Sequence, residues 1–213
     1  MNKERIHIPR AERLTTAIQV YWHVRPQLRA FKEQHTAPIH LLDAGCGDGV
    51  LTRQIASDLA ADEVLFVDCN NSLRVPLLQG SSFHSADVSS KDFRNRFQGK
   101  ANIVTSIAAF HEFNDPFQSV SNFLSVVPQG GSVFIVDRAQ EGWMREEGIA
   151  TREGEASLEH HQADLKKLAD SGLGTDKGIR DFWEGQVFPN LPLENGKLTL
   201  NEEVYVVSYQ RAM

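Results

Sequence analysis

Cysteine is scarce in this chain of 213 residues: Cys46 and Cys69 are the only two. Two cysteines make no disulfide framework, and reduced thiols are the simple reading. No apolar run is long enough to span a bilayer. Residues 1–13 are polar and basic and lack the apolar stretch of a signal peptide. A cytoplasmic location is therefore expected, where the Asn70-Asn71-Ser72 glycosylation pattern has no meaning. Basic patches are missing too. The net charge is −6, and Lys166-Lys167 is the only adjacent basic pair, which argues against a nucleic-acid groove. Repeats, low-complexity tracts and linkers are absent, so one domain is expected.

What is present suits a folded core, with hydrophobic residues at 41% and charged residues at 23%. Residues 1–10 read as a flexible arm. From Ala11 a helical stripe runs through Leu14, Ile18, Tyr21 and Leu28, with Pro26 expected to kink or split it. It reads either as a helix on the domain edge or as a lid. Short apolar runs follow at 39–42, 64–67, 82–84, 101–107 and 133–136, alternating with helical patterns at 50–59 and 117–127. A short helix cut by Pro76 is expected after Asp68. This alternation predicts an α/β fold: a doubly wound, mostly parallel sheet with helices on both faces. Residues 152–170 read as a charged helix with Leu158, His161, Leu165 and Leu168 along one side. Asn195-Gly196 reads as a hairpin turn, and 203–209 as a last strand, giving an antiparallel C-terminal edge.

The main clue is Asp43-x-Gly45-x-Gly47-x-Gly49, set between a strand and a helix. Glycines there allow a tight turn and close approach of a ligand to the backbone. In a doubly wound sheet, ligands lie across the carboxyl ends of the strands at such a turn. The spacing is not the G-x-G-x-x-G of a dinucleotide fold, and there is no P-loop lysine. A nicotinamide-dependent oxidoreductase is thus opposed by the glycine spacing.

The run Leu41 to Gly49 resembles the first motif of class I S-adenosylmethionine (SAM)-dependent methyltransferases. Val67-Asp68, Ala86-Asp87-Val88, Ser106 to Pro116 and Pro128 to Gly131 resemble that family's later motifs, in order, so the resemblance covers residues 40–138. It implies SAM as cofactor and S-adenosylhomocysteine (SAH) as product. It implies that Gly45 and Gly47 pack on the methionyl and ribose parts, and that Asp43 positions the methionyl ammonium. Asp68 would accept from both ribose hydroxyls. Asp87 would accept from the adenine amino group, with the Val88 backbone on a ring nitrogen, and Ser106 would lie near the methionyl end. The resemblance is to the small-molecule type, with residues 1–35 as an N-terminal helical cap, 36–138 as the cofactor core, and 139–213 as the substrate-side helix and C-terminal strands.

Methyl transfer needs a base only when the acceptor must lose a proton. His111, just after the fourth strand, is the candidate. His161 reads as a core histidine and His160 as exposed, and no metal site is expected. Cys46 and Cys69 read as packing residues. Phe110, Phe113, Trp143 and Trp183 are candidates for an aromatic substrate pocket. The expected function is transfer of a methyl group to oxygen, nitrogen or carbon of a small organic molecule, by a monomer or homodimer without membrane partners. The alternatives are a non-catalytic SAM/SAH-binding regulator and a methyltransferase acting on tRNA or protein.

Overall fold

The computed structural model describes residues 10–71, 73–77, 79–140, 142–143 and 155–212. The side chains of residues 10–16, 155–157 and 160 lie outside that description, and with them those of Leu14 and His160. The arm expected at the start of the chain also lies outside it, apart from Arg10.

Seven strands form one sheet in the order β3-β2-β1-β4-β5-β7-β6. They are β1 (His40–Ala44), β2 (Glu63–Asp68), β3 (Ser81–Ser85), β4 (Ile103–Ile107), β5 (Ser132–Arg138), β6 (Leu193–Leu200) and β7 (Val204–Arg211). The pairs among β1 to β5 are parallel, while β7 runs antiparallel to both β5 and β6. The predicted sheet and its antiparallel edge are both observed. The order reverses between β1 and β4, so the carboxyl ends of those strands flank a crevice of the kind that binds ligands.

The central strands are buried on both faces because helices cover both. On one face lie α1 (Arg10–Gln34) and α2 (Val50–Leu59), over Leu41, Phe66, Ile103, Phe134 and Val136. On the other lie α3 (Lys91–Phe97), α4 (Pro116–Val126), α5 (Glu155–Asp170) and α6 (Asp176–Arg180), followed by a π-helical stretch Asp181–Val187. Their core includes Leu42, Val104, Ile135, Phe93, Phe123, Leu168 and Trp183.

Three expectations change. First, α1 is not split at Pro26. Proline removes only one intrahelical bond, that to the carbonyl of Trp22, and Trp22 lies on the exposed side of the helix, 55% exposed. The buried stripe is Val20, Tyr21, Val24 and Leu28, while Ile18 faces outward. The helix is held down by Asp58 of α2, which accepts from Tyr21 Oη at 2.5 Å and Arg25 Nε at 2.7 Å. From residue 17 on, it packs along the sheet.

Second, no helix follows Asp68 among the described residues of 69–80. Instead the backbone N–H groups of Arg74 and Val75 donate to the Asp48 carbonyl, tying this loop to the glycine turn.

Third, Asn195-Gly196 is not the hairpin turn. Both residues lie inside β6, where the register shifts between Glu194 and Lys197. Asn195 takes a left-handed conformation, φ 54°, and its Nδ2 donates to Gln210 Oε1 at 2.8 Å. The left-handed preference that favours a turn serves a β-bulge equally well. The chain reverses instead at Asn201, whose Oδ1 accepts from the N–H groups of Glu203 and Val204.

Candidate active site

The crevice between β1 and β4 is built first by glycine. Gly45, Gly47 and Gly49 all have positive φ, of 80°, 53° and 83°. A Cβ on Gly45 would lie 2.4 Å from Ala109 Cβ, and one on Gly49 would lie 2.5 Å from Leu73 and 2.6 Å from Val75. A Cβ on Gly47 would meet no described residue within 4 Å. The turn is thus clamped at both ends and roomy in the middle. Gly49 caps α2, and Asp48 Oδ1 accepts from the Val50 N–H.

Carboxylates hold this turn from below and from the side. Asp43 is buried on the α2 face of β1. Its Oδ1 accepts from the Thr105 hydroxyl at 2.6 Å and its Oδ2 from the Thr52 hydroxyl at 2.5 Å. Burial raises its pKa to about 6, against the lowering effect of the two hydroxyls. Asp68 ends β2. Its Oδ2 accepts from the Gly47 N–H at 2.9 Å and its Oδ1 from the Asn70 N–H at 2.8 Å. Each oxygen keeps a second lone pair on a half-buried side chain.

Asp87, beyond β3, accepts from the Ser89 N–H and from Asn114 Nδ2 at 3.0 Å. Val88 is buried and its carbonyl accepts from Asn122. Ser106 is fully buried at the end of β4, and its Oγ has no hydrogen-bond partner among the described residues. The sheet therefore gathers Asp43, Gly45, Gly47, Asp68, Asp87, Val88 and Ser106 on its carboxyl edge. An unpaired buried hydroxyl, a roomy glycine and a half-exposed carboxylate fit a polar cofactor laid across it.

His111 sits at the same edge, in a 3-10 turn Phe110–Glu112 after β4. Its Nδ1 and its backbone N–H both reach Asp137 Oδ2, at 2.9 Å each. Both side chains are buried, with 4% and 1% exposed. Burial alone would lower the imidazole pKa, but the adjoining Asp137 carboxylate outweighs it and holds the pKa above the usual histidine value. The Trp143 ring stands edge-on to the imidazole, centroids 4.6 Å apart.

Residues 17–183 match the profile described as methyltransferase domain. The chain belongs to the methyltransferase-domain family. Its fold is that of the class I SAM-dependent methyltransferases. The methyltransferase resembles several solved structures at low identity, so these show the fold alone. The plantazolicin methyltransferase BpumL, in complex with a monoazolic desmethylPZN analog and SAH, is 11% identical with a TM-score of 0.67, over 93% of this chain and 86% of that one. A SAM-dependent methyltransferase from Methanosarcina mazei is 15% identical with a TM-score of 0.54, over 84% and 95%. A structure described as the conversion of a disulfide bond into a thioacetal group during echinomycin biosynthesis is 14% identical with a TM-score of 0.57, over 88% and 81%. No curated protein sequence matches the methyltransferase.

The remaining candidates divide by burial. Trp183 and Phe110 are fully buried and pack on each other, centroids 5.5 Å apart, as core residues. Phe113 is half-buried and touches the space a Gly45 side chain would take. Cys46 is buried, and burial pushes its thiol pKa up, which removes nucleophilic character. Cys69 is exposed. His161 is buried 5.9 Å from the Trp143 ring, as a core histidine should be.

Asp137, Thr52, Thr105 and Asn114 bond to the candidate residues and are missed by motif reading. Asp137 alone had a signal, an acidic residue directly after the apolar run 133–136. Among the described residues, no helix is long and apolar enough to cross a membrane.

Proposed function

We propose that the methyltransferase moves the methyl group of SAM to a nucleophilic oxygen, nitrogen or carbon of a small organic molecule, with His111 as the base. Bound SAM supplies a methyl group already activated by its sulfonium. The protein's part is alignment and exclusion of water. Gly45 and Gly47 line the methionyl and ribose side, Asp43 biases the turn toward the ammonium, and Asp68 accepts from the ribose hydroxyls. Asp87 and the Val88 backbone receive the adenine, and the Ser106 hydroxyl finds its missing partner at the methionyl end. Residues 36–138 then form the cofactor core, with the described residues of 1–35 and 139–213 around the acceptor, in one domain.

The observation that carries this reading is His111 held by Asp137 at the carboxyl edge of β4, beneath Trp143 and α5. A base so enclosed suits a small acceptor better than a bulky polymer. The small-molecule ligand named for BpumL is in keeping with it.

Calorimetric titration with SAM and SAH, alongside Asp68→Ala, tests the cofactor half. Loss of one or two charge-assisted hydrogen bonds predicts weakening of roughly 100-fold. A panel of hydroxyl, amine and carbon acceptors, read by SAH formation, tests the other half. Unchanged affinity in the variant would remove Asp68 from the site. Turnover confined to tRNA or protein would replace the small-molecule reading.

A further inference from the structure

The contact between His111 and Asp137 is more constrained than packing of a histidine requires. One oxygen, Asp137 Oδ2, accepts from both the backbone N–H and the ring Nδ1 of the same residue. The other, Oδ1, accepts from the Arg138 N–H at 2.9 Å. The backbone bond fixes the 3-10 turn, the ring bond fixes the imidazole, and the Trp143 edge blocks its rotation. An ionised carboxylate only accepts, so in the neutral ring Nδ1 carries the hydrogen and Nε2 carries the lone pair. Nε2 is turned from Asp137 toward Glu112, whose carboxylate lies 3.9 Å away and 49% exposed.

Other titratable groups surround the pair. Arg138 follows Asp137 on β5 and has its guanidinium over Trp143. Tyr205 lies opposite Asp137 on β7, with its hydroxyl unpartnered among the described residues. His161 and Asp164 are buried on α5, which packs on the turn.

We propose that Asp137 is a positioning residue, which holds His111 as the Nδ1–H tautomer with Nε2 presented to the methyl acceptor; this inference rests on His111 being the base. The acceptor then arrives protonated. Its proton passes to Nε2 while its electron pair forms the new bond to the methyl carbon. The carbon–sulfur bond breaks with its pair kept on sulfur, and the imidazolium returns the proton to solvent. Such a base serves a hydroxyl or N–H acceptor. A thioether or tertiary amine, with no proton to lose, has no use for it. Trp143, whose buried Nε1–H has no partner among the described residues, offers a donor to such a polar acceptor.

The test is nitrogen-15 NMR of the imidazoles in the full-length protein with SAH, with His111→Gln to assign the signal. In the wild type Nδ1 should be the protonated nitrogen at high pH, with a midpoint above 6.5. Asp137→Asn should lose the tautomer preference and titrate below the wild type, since the carboxylate that raises the imidazole pKa is gone. Asp137→Glu should keep the preference. SAH affinity within about threefold of wild type would show that these variants fold.

A wild-type signal with the hydrogen on Nε2 would overturn the proposal without any variant. An unchanged spectrum in Asp137→Asn, with His111→Gln inactive on the acceptor found in the panel, would remove Asp137 and leave the base. Full turnover by His111→Gln would remove the base itself.

Discussion

At the scale of single residues, the carboxylates on the sheet edge differ in surroundings and so in duty. Asp43 is enclosed by two threonine hydroxyls and buried, and its pKa stands near 6. A carboxyl raised in this way adds stability below the unfolded pKa and loses that contribution as pH rises through the folded one. The window is therefore about pH 4 to 6. Asp43→Asn removes this slope. In urea unfolding, the variant should gain on the wild type between pH 4 and pH 7. If Asp43 also serves the methionyl ammonium, SAM affinity should fall in the same variant. Unaltered affinity would leave Asp43 as a scaffold for Thr52 and Thr105. Asp58 has the opposite sign. Its pKa is held near 2, chiefly by its hydrogen bonds from Arg25, so the stability it contributes is present above about pH 4 and lost toward pH 2. Far-ultraviolet circular dichroism through acid titration should show Asp58→Asn with a shallower acid limb than wild type.

At the scale of elements, the loop that follows β2 does the work a helix was expected to do. Leu73 and Val75 press against Gly49, and Asp48 accepts from the backbone of Arg74 and Val75. The glycine turn and the loop thus form one unit, with Gly49 as the joint. Gly49→Ala would need a left-handed alanine and would drive a methyl group into both side chains. A loss of about 2 kcal/mol or more is expected in denaturant unfolding. SAH binding should fall with it, since the displaced loop borders Asp68. The bulge in β6 is a milder case. Asn195→Gly keeps the positive φ and should leave stability near wild type, whereas Asn195→Val should cost about 1–2 kcal/mol.

At the scale of the whole molecule, the site depends on distant segments meeting at one edge. The glycine turn, β2, the segment after β3, the turn after β4 and β5 all contribute, so the proposed site predicts that cofactor binding and folding are linked. SAH at about 100 times its Kd should stabilise the fold by about 2.7 kcal/mol. For a chain of this size that is a rise in Tm of roughly 5–10 °C, measured by scanning calorimetry. Asp68→Ala at the same SAH concentration should lose most of that rise. A variant with the full shift would mean that SAH is held elsewhere.

The sequence by itself determined the parallel core and the glycine turn, because both depend on local chemistry. Doubly apolar runs between helical patterns specify a covered parallel sheet. Three glycines ahead of a helix specify a turn with positive φ. Acids at strand ends specify carboxylates on the sheet edge, and His111 could be placed there from its position after β4. Only the tertiary structure decided what these residues meet. Asp137 lies 26 positions from His111, and nothing in local spacing indicates that a β5 residue faces the turn after β4. Thr52 and Thr105 close on Asp43 from a helix and a neighbouring strand. The loop after Asp68 and the bulge at Asn195-Gly196 were misread for the same reason. Proline and the asparagine–glycine pair state which backbone angles are permitted, while packing against Gly49 and pairing with β7 choose among them.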